Sequence, residues 1–184
     1  MKKQLLFIHS AGSQDNGEGS TQLLDVMKAE LSDDYDIIAP LMPDPENPDS
    51  AAWQTAVKTE INALNTPYIL IGHSLGASTI LKTLTESTVS KLPEALFLIS
   101  TPFWSNEGWE VAEYALNDDF AKRLPSLKAN FLYHSRDDEI VPFSHLLSYE
   151  EKIPQATLRK LDGYGHFLEL DSFPQLIADI QALN

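Results

Sequence analysis

Three short stretches of this chain carry side chains that could act together on a carbonyl group. The first is Gly72-His73-Ser74-Leu75-Gly76, which follows the apolar run Tyr68-Ile69-Leu70-Ile71 and precedes a helix-like stretch from Ala77 to Thr85. A strand that turns at once into a helix forces the serine into a tight elbow. Its hydroxyl then projects beyond the sheet, beside the helix N-terminus. Glycine suits positions 72 and 76 because a Cβ at either would collide with neighbouring backbone in so sharp a turn. A serine hydroxyl is a weak nucleophile at neutral pH and needs an adjacent base, which in turn needs an orienting group.

The other two stretches supply those groups. Ser135-Arg136-Asp137-Asp138-Glu139-Ile140-Val141-Pro142 follows the strand-like run Asn130–His134, and Gly163-Tyr164-Gly165-His166-Phe167 follows the last such run. The order Ser, Asp, His along the chain is the one associated with nucleophiles on strand-turn-helix elbows. His166 is the candidate base: Gly165 lets the backbone turn before it, while Phe167 and Leu168 can pack inward. Of the other histidines, His9 and His134 end strands and read as loop supports. His73 reads as a structural hydrogen-bonding residue, and His145, in a helix after Pro142, as a solvated surface residue. Asp138 is the preferred orienting acid because the apolar pair Ile140-Val141 anchors its loop; Asp137 is the alternative. No second half-site turns His134, Asp137 and Asp138 into a metal centre. An oxyanion needs backbone N–H donors. Leu75, just after the serine, supplies one, and Ala11, in the loop after the first strand, is expected to supply the other, with Gly12 as a second choice.

Positioning these groups requires a sheet, and the hydrophobic pattern provides one. Short apolar runs lie at Gln4–His9, Asp36–Ala39, Tyr68–Ile71, Ala95–Ser100, Asn130–His134 and Thr157–Leu161. Most are apolar on successive residues, the mark of strands buried on both faces. Between them, Leu23, Leu24, Met27 and Leu31 share a helical face, as do Trp53, Val57, Ile61 and Leu64, with Ser50 as the expected N-cap. Leu75, Ile80, Leu81 and Leu84 form a face behind the elbow. Leu176, Ile177, Ile180 and Leu183 follow Pro174, which is placed in a first helical turn. Alternation of strand and helix predicts an α/β fold, a three-layer α/β/α sandwich around a six-stranded, mainly parallel sheet.

Two stretches interrupt the alternation. Residues 40–50 hold Pro40, Pro43, Pro45 and Pro48, a stiff extended connection. Residues 101–127 are rich in aromatics, begin where an open parallel sheet binds its ligands, and are expected to hold one or two short helices. They could form a short lid, with Phe103 and Trp104 lining a substrate pocket, or pack as core.

With 184 residues and 43% hydrophobic content, the chain is expected to fold as one domain. It has no cysteine, which excludes disulfides, thiolate metal sites and a cysteine nucleophile. A net charge of −14 argues against nucleic-acid and anionic membrane partners. No protein partner is indicated, and a cytoplasmic location is expected because the apolar run Leu5–Ile8 after Met1-Lys2-Lys3 is too short for a signal peptide.

Taken together, these motifs resemble the α/β-hydrolase fold, and within it the small serine hydrolases of the retinoblastoma-binding protein 9 type. The resemblance spans nearly the whole chain. It rests on Phe7-Ile8-His9-Ser10, Met42-Pro43-Asp44-Pro45 followed by Trp53, Gly72-His73-Ser74-Leu75-Gly76, Asp138-x-x-Val141-Pro142 and Gly165-His166-Phe167. It implies a single domain over residues 1–184, strand order second-first-third-fourth-fifth-sixth, a Ser74–His166–Asp138 triad and no cofactor. The activity implied is a carboxylesterase acting on small or medium acyl esters. A thioesterase or amidase using the same triad, or a hydrolase-shaped binding module with little turnover, are the alternatives. One departure concerns Ser10, where many proteins of this fold have glycine; a side chain there narrows the loop that should carry the second oxyanion donor.

Overall fold

The computed structural model describes residues 2–183. Six strands, β1 (Lys3–Ile8), β2 (Tyr35–Ile38), β3 (Tyr68–His73), β4 (Ala95–Ile99), β5 (Ala129–Ser135) and β6 (Thr157–Leu161), form one sheet in the order β2-β1-β3-β4-β5-β6. Every pairing is parallel, so both the strand order and the α/β class expected from the sequence are found. Six helices connect or follow the strands: α1 (Thr21–Leu31), α2 (Ser50–Ala63), α3 (Leu75–Glu86), α4 (Phe120–Arg123), α5 (Ser144–Lys152) and α6 (Pro174–Gln181).

The successive apolar residues of the strands serve two separate cores. Leu6, Ile8, Leu70, Leu96, Leu98 and Leu132 point to one face, where they meet Trp53, Val57 and Ile61 of α2, Ile80 and Leu81 of α3, and Leu146 and Tyr149 of α5. Their neighbours Leu5, Phe7, Ile69, Ile71, Phe97, Ile99 and Tyr133 point to the other, against Leu23 and Met27 of α1 and Leu176 and Ile180 of α6. Strand side chains alternate between faces, so a run that is apolar at every position is the requirement for a sheet sandwiched between two helical layers. The edge strand β6 is only partly buried. Its Arg159 forms an ion pair with Asp179 of α6, which also accepts from the Tyr133 hydroxyl at 2.8 Å.

Two local expectations are corrected. The N-cap of α2 is Asp49, whose Oδ1 accepts from the Ala52 amide at 2.7 Å. Ser50 is instead the first helical residue, and its hydroxyl donates to the Glu113 carbonyl. A carboxylate one residue earlier wins because it completes the cap and places negative charge at the positive end of the helix. His145, expected at the surface, is 1% exposed. Its Nδ1 accepts from the Phe103 amide at 2.8 Å and its ring meets Trp109 edge-on. Burial, then the neighbouring His134, push its pKa down to about 4, so it stays neutral.

Segment 101–127 contains one short helix, α4, and is tied to the layer beneath it. Trp104 Nε1 donates to Ser78 Oγ of α3 at 3.0 Å, Lys82 Nζ donates to the Ala115 carbonyl at 2.6 Å, and Tyr114 donates to the Pro48 carbonyl. Phe103, Trp104 and Tyr114 pack against the core on the α2–α3 face.

The junction of β3 and α3 is packed closely against backbone. A Cβ on Gly76 would lie 2.3 Å from the His9 carbonyl oxygen and 2.5 Å from that of Ile8, and one on Gly72 would lie 2.6 Å from the Ala77 Cα. These are backbone atoms that cannot rotate away. Gly76→Ala is therefore expected to cost about 2–3 kcal/mol by overpacking, read as a lower urea midpoint; an unchanged midpoint would contradict this account of the junction.

Candidate active site

The register of the sheet brings the chemistry-bearing residues to one edge. Ile8 pairs with Gly72, Gly72 with Leu98, His73 with Ile99, and Ile99 with Tyr133. The residues that follow these partners, His9, Ser74, Ser100 and His134, therefore leave the sheet together at its carboxyl end, where open parallel sheets take ligands.

Ser74 adopts φ 52 and ψ −120 between the last residue of β3 and the first of α3. A non-glycine side chain in that region carries strain of about 1–3 kcal/mol, and such residues cluster at functional sites. Its amide donates to the Ile99 carbonyl at 2.8 Å and its carbonyl accepts from Ala77 and Ser78, so both sides of the elbow are fixed. Among the described residues the Ser74 hydroxyl has no hydrogen-bonded partner, and no hydrogen bond joins it to His166. Catalytic hydrogen bonds are often loose before substrate arrives and tighten in the complex.

His166 and Asp138 are in direct contact. His166 Nδ1 lies 2.8 Å from Asp138 Oδ2 and 3.0 Å from Oδ1. Asp138, His166 and Ser74 are 8%, 8% and 9% exposed, a comparable, nearly complete enclosure. The ring is held on both sides: Phe167, fully buried at φ 58, anchors it among the side chains of the α1–α6 face. On the other side, His73 lies 4.9 Å away between ring centroids, and its Nε2 donates to the His166 carbonyl at 2.8 Å. Burial, followed by the proximity of His166, keeps the His73 pKa well below the ordinary histidine value. A neutral His73 places no cation beside His166.

Asp138 accepts more than the imidazole. Ser100 Oγ donates to Oδ2 at 2.7 Å, and the Ile140 and Val141 amides donate to Oδ1 at 2.9 Å each. His134 Nε2 donates to the Val141 carbonyl at 2.8 Å and lies 3.4 Å from Oδ2. Burial alone would raise the carboxyl pKa; the donors, with His134 and His166 foremost and Ser100 after them, outweigh it and hold the group far below the usual range. Asp137 is occupied elsewhere. Its Oδ1 accepts from the Ser135 hydroxyl and, at 3.0 Å, from the Gly163 amide, so it braces the loop that carries His166.

The loop after β1 leaves one amide open. The Ser10 amide donates to Ser20 Oγ at 2.9 Å and that of Gly12 to the Pro45 carbonyl at 2.7 Å. Ala11, between them, has no such partner among the described residues, and Leu75 opens α3 where no preceding turn can accept its N–H. A cavity of about 420 Å³ adjoins His166, lined by Asp137, Glu139, Ile140, Tyr164 and Leu168 among others. Phe103 and Trp104 do not line it. A larger cavity of about 770 Å³, around Lys2–Gln4 and Asn65–Pro67, lies at the opposite end of the sheet. Among the described residues no group of three or more His, Asp or Glu is arranged to hold a metal ion, and no helix is long and apolar enough to cross a membrane.

Sequence reasoning passed over Ser100 and Ser20. Ser100 had a signal: it is the polar residue ending the apolar strand Ala95–Ile99, the strand beside the elbow. Ser20 had none, because its partners are set by the return of a loop ten residues long.

Because the folded-state pKa of Asp138 is depressed, its ionisation stabilises the fold above the ordinary carboxylate value of about 4, and that contribution is lost as pH falls below it. Wild type and Asp138→Asn should therefore differ most in unfolding midpoint near neutrality, and the difference should shrink progressively as the pH is lowered below about 4. A difference that stays constant across that window would show that the carboxylate charge is not what the donors hold.

Comparison with known proteins places this geometry in context. YdeN of Bacillus subtilis (strain 168) is 28% identical over 178 residues, covering 96% of this chain and 92% of that protein. The crystal structure of the ydeN gene product superposes with a TM-score of 0.83 at 24% identity, covering 98% of both chains. The meta-cleavage product hydrolase CumD from Pseudomonas fluorescens IP01, at 16% identity and a TM-score of 0.74, covers 99% of this chain and 92% of its own. A thioesterase domain from the curacin biosynthetic pathway, at 15% identity and a TM-score of 0.71, covers 98% and 91%. These structural likenesses carry the fold, that of the α/β hydrolases. The family described as serine hydrolase matches residues 30–183, which include the elbow, Asp138 and His166, and the chain belongs to that serine hydrolase family.

Proposed function

We propose that the protein is a carboxylesterase acting on small or medium acyl esters, with Ser74 as nucleophile, His166 as general base and Asp138 as orienting acid. The observation that carries the reading is the contact of His166 Nδ1 with an ionised, multiply hydrogen-bonded Asp138, on the sheet edge where Ser74 sits strained at the elbow. Asp138 accepts a hydrogen bond from Nδ1–H, which leaves Nε2 as the basic nitrogen. Ser74 Oγ attacks the ester carbonyl as its proton passes to Nε2, and the carboxylate stabilises the imidazolium that forms. The Leu75 and Ala11 amides receive the oxyanion, and the N-terminus of α3 adds its dipole. His166 returns the proton to the leaving alkoxide, giving an acyl-Ser74 ester and free alcohol. Water, deprotonated by the same base, then attacks the acyl carbon; collapse of the second tetrahedral intermediate releases the acid and restores Ser74. No cofactor takes part.

The cavity beside His166 is at the lower end of the roughly 300–1,000 Å³ common for small-molecule sites, and Ser74 is not among the residues that line it. Its wall mixes Ile140, Tyr164 and Leu168 with acidic residues, which disfavours anionic substrates.

The test is a series of aryl esters of increasing acyl length, run beside the matching thioesters and anilides on wild type and Ser74→Ala. Ester turnover by wild type should fall on the order of 10⁴-fold or more in the variant, with the unfolding midpoint little changed. Retained turnover would refute the nucleophile. Faster thioester or anilide than ester turnover would shift the substrate class, and absence of any wild-type turnover would favour a binding module.

Acid should also slow the reaction. His166 accepts the Ser74 proton only when neutral, so kcat/KM should fall in acid. A rate unchanged from neutral to acid pH with the fold intact would remove His166 from the mechanism.

A further inference from the structure

We propose that Ser20 is a positioning residue for the oxyanion loop: its hydroxyl holds the Ser10 amide and so keeps the Ala11 amide turned toward the reacting carbonyl. This rests on the reading of Ala11 and Leu75 as oxyanion donors.

Ser20 occupies the N-cap position of α1, at φ −85 and ψ 12, yet makes no side-chain cap bond to that helix. A serine there ordinarily accepts from an amide of the first turn. Its hydroxyl is turned instead to the loop after β1. Ser20 Oγ lies 2.9 Å from the Ser10 amide nitrogen, 3.1 Å from Ser10 Oγ and 3.3 Å from His9 Nδ1. A hydroxyl offers one proton and two lone pairs. The Ser10 N–H fills one lone pair, and Ser10 Oγ and His9 Nδ1 share the other lone pair and the Ser20 proton, so every valence is used. Burial, aided by Lys28, lowers the His9 pKa to about 4 and keeps the ring neutral.

The loop is gripped on its other side as well. The Gly12 amide is held by the Pro45 carbonyl, and Gln14 Oε1 accepts from the Met42 amide at 2.9 Å. The proline segment that provides these contacts is itself fastened by Trp53 Nε1, which donates to the Pro43 carbonyl at 2.7 Å. Amides 10 and 12 are thus immobilised from opposite directions, and the amide between them is left free. The grip also accounts for Ser10 in a position where a side chain would narrow the loop. Its hydroxyl is directed to Ser20, in a residue only 4% exposed, and becomes a second tie.

The test measures kcat and KM on an aryl acetate, and the inhibition constant of a trifluoromethyl ketone, for wild type, Ser20→Ala, Ser20→Thr and Ser10→Ala, well below each unfolding midpoint. Complete loss of one oxyanion donor lowers kcat by about 10²–10³-fold. Loosening it through Ser20→Ala should lower kcat roughly 10- to 100-fold, leave KM within about threefold, and weaken the ketone in proportion to kcat/KM. Ser20→Thr, which keeps the hydroxyl, should recover most of the rate. Ser10→Ala, which keeps the amide contact, should lose much less than Ser20→Ala. If Ser20→Ala does not fold, Ser20→Cys, a weaker hydrogen-bonding partner, should show a smaller loss of the same kind. A kcat for these Ser20 variants within about threefold of wild type overturns the inference, as does a kcat loss with unchanged ketone binding. Failure of the esterase reading is distinguishable: the wild type itself would then be inert toward the ester.

Discussion

Everything at this site depends on β3 passing into α3 with no loop between them. The turn is made by one residue, Ser74, at a backbone conformation that side chains rarely adopt. It closes only because positions 72 and 76 lack a Cβ, which allows the first turn of α3 to rest on the Ile8 and His9 carbonyls and on the end of β3. That close approach sets the distance between the Leu75 amide and the loop leaving β1. The first turn of α3 is thereby packed against the strand end from which the loop carrying Ala11 leaves.

The electrostatics follow from the same edge. One carboxylate, Asp138, is surrounded by donors and kept ionised, while His9, His73 and His145 are buried and kept neutral. Neutral His9, His73 and His145 place no cation against the pair Asp138–His166. Strain is concentrated at the same place: Ser74, Ser100 and Phe167 all have positive φ, and they carry the elbow hydroxyl, a donor to Asp138 and the anchor of His166. Such strain persists where surrounding contacts over-determine the backbone, and here both cores do so.

The fold was legible because most of its strands are apolar on successive residues, as a sheet covered on both faces requires. Their order came from the resemblance to the small serine hydrolases rather than from the hydrophobic pattern. The elbow and the Ser, Asp, His order were legible because each motif is local to a strand end. What the sequence hid were contacts made across the fold. Ser100 reaches Asp138 over 38 positions and Ser20 reaches Ser10 and His9 by a loop closure. His145 looked like a solvated helical residue because nothing local reveals that Phe103 and Trp109 cover it. Asp137 and Asp138 are adjacent and chemically identical; only the direction of each side chain, set by Gly163 on one and His166 on the other, tells them apart. Asp49 took the α2 cap from Ser50 by a difference of one residue, below the precision of pattern reading.

The central claim is that a carbonyl bound at this edge meets the Ser74 hydroxyl, the His166 imidazole and the two amides simultaneously. A crystal structure of the protein after reaction with a fluorophosphonate tests it most directly. The account predicts phosphorus bonded to Ser74 Oγ, the phosphoryl oxygen within hydrogen-bonding distance of the Leu75 and Ala11 amides, and His166 Nε2 beside the bridging oxygen. Phosphorus on another residue, or a phosphoryl oxygen directed away from both amides, would contradict it.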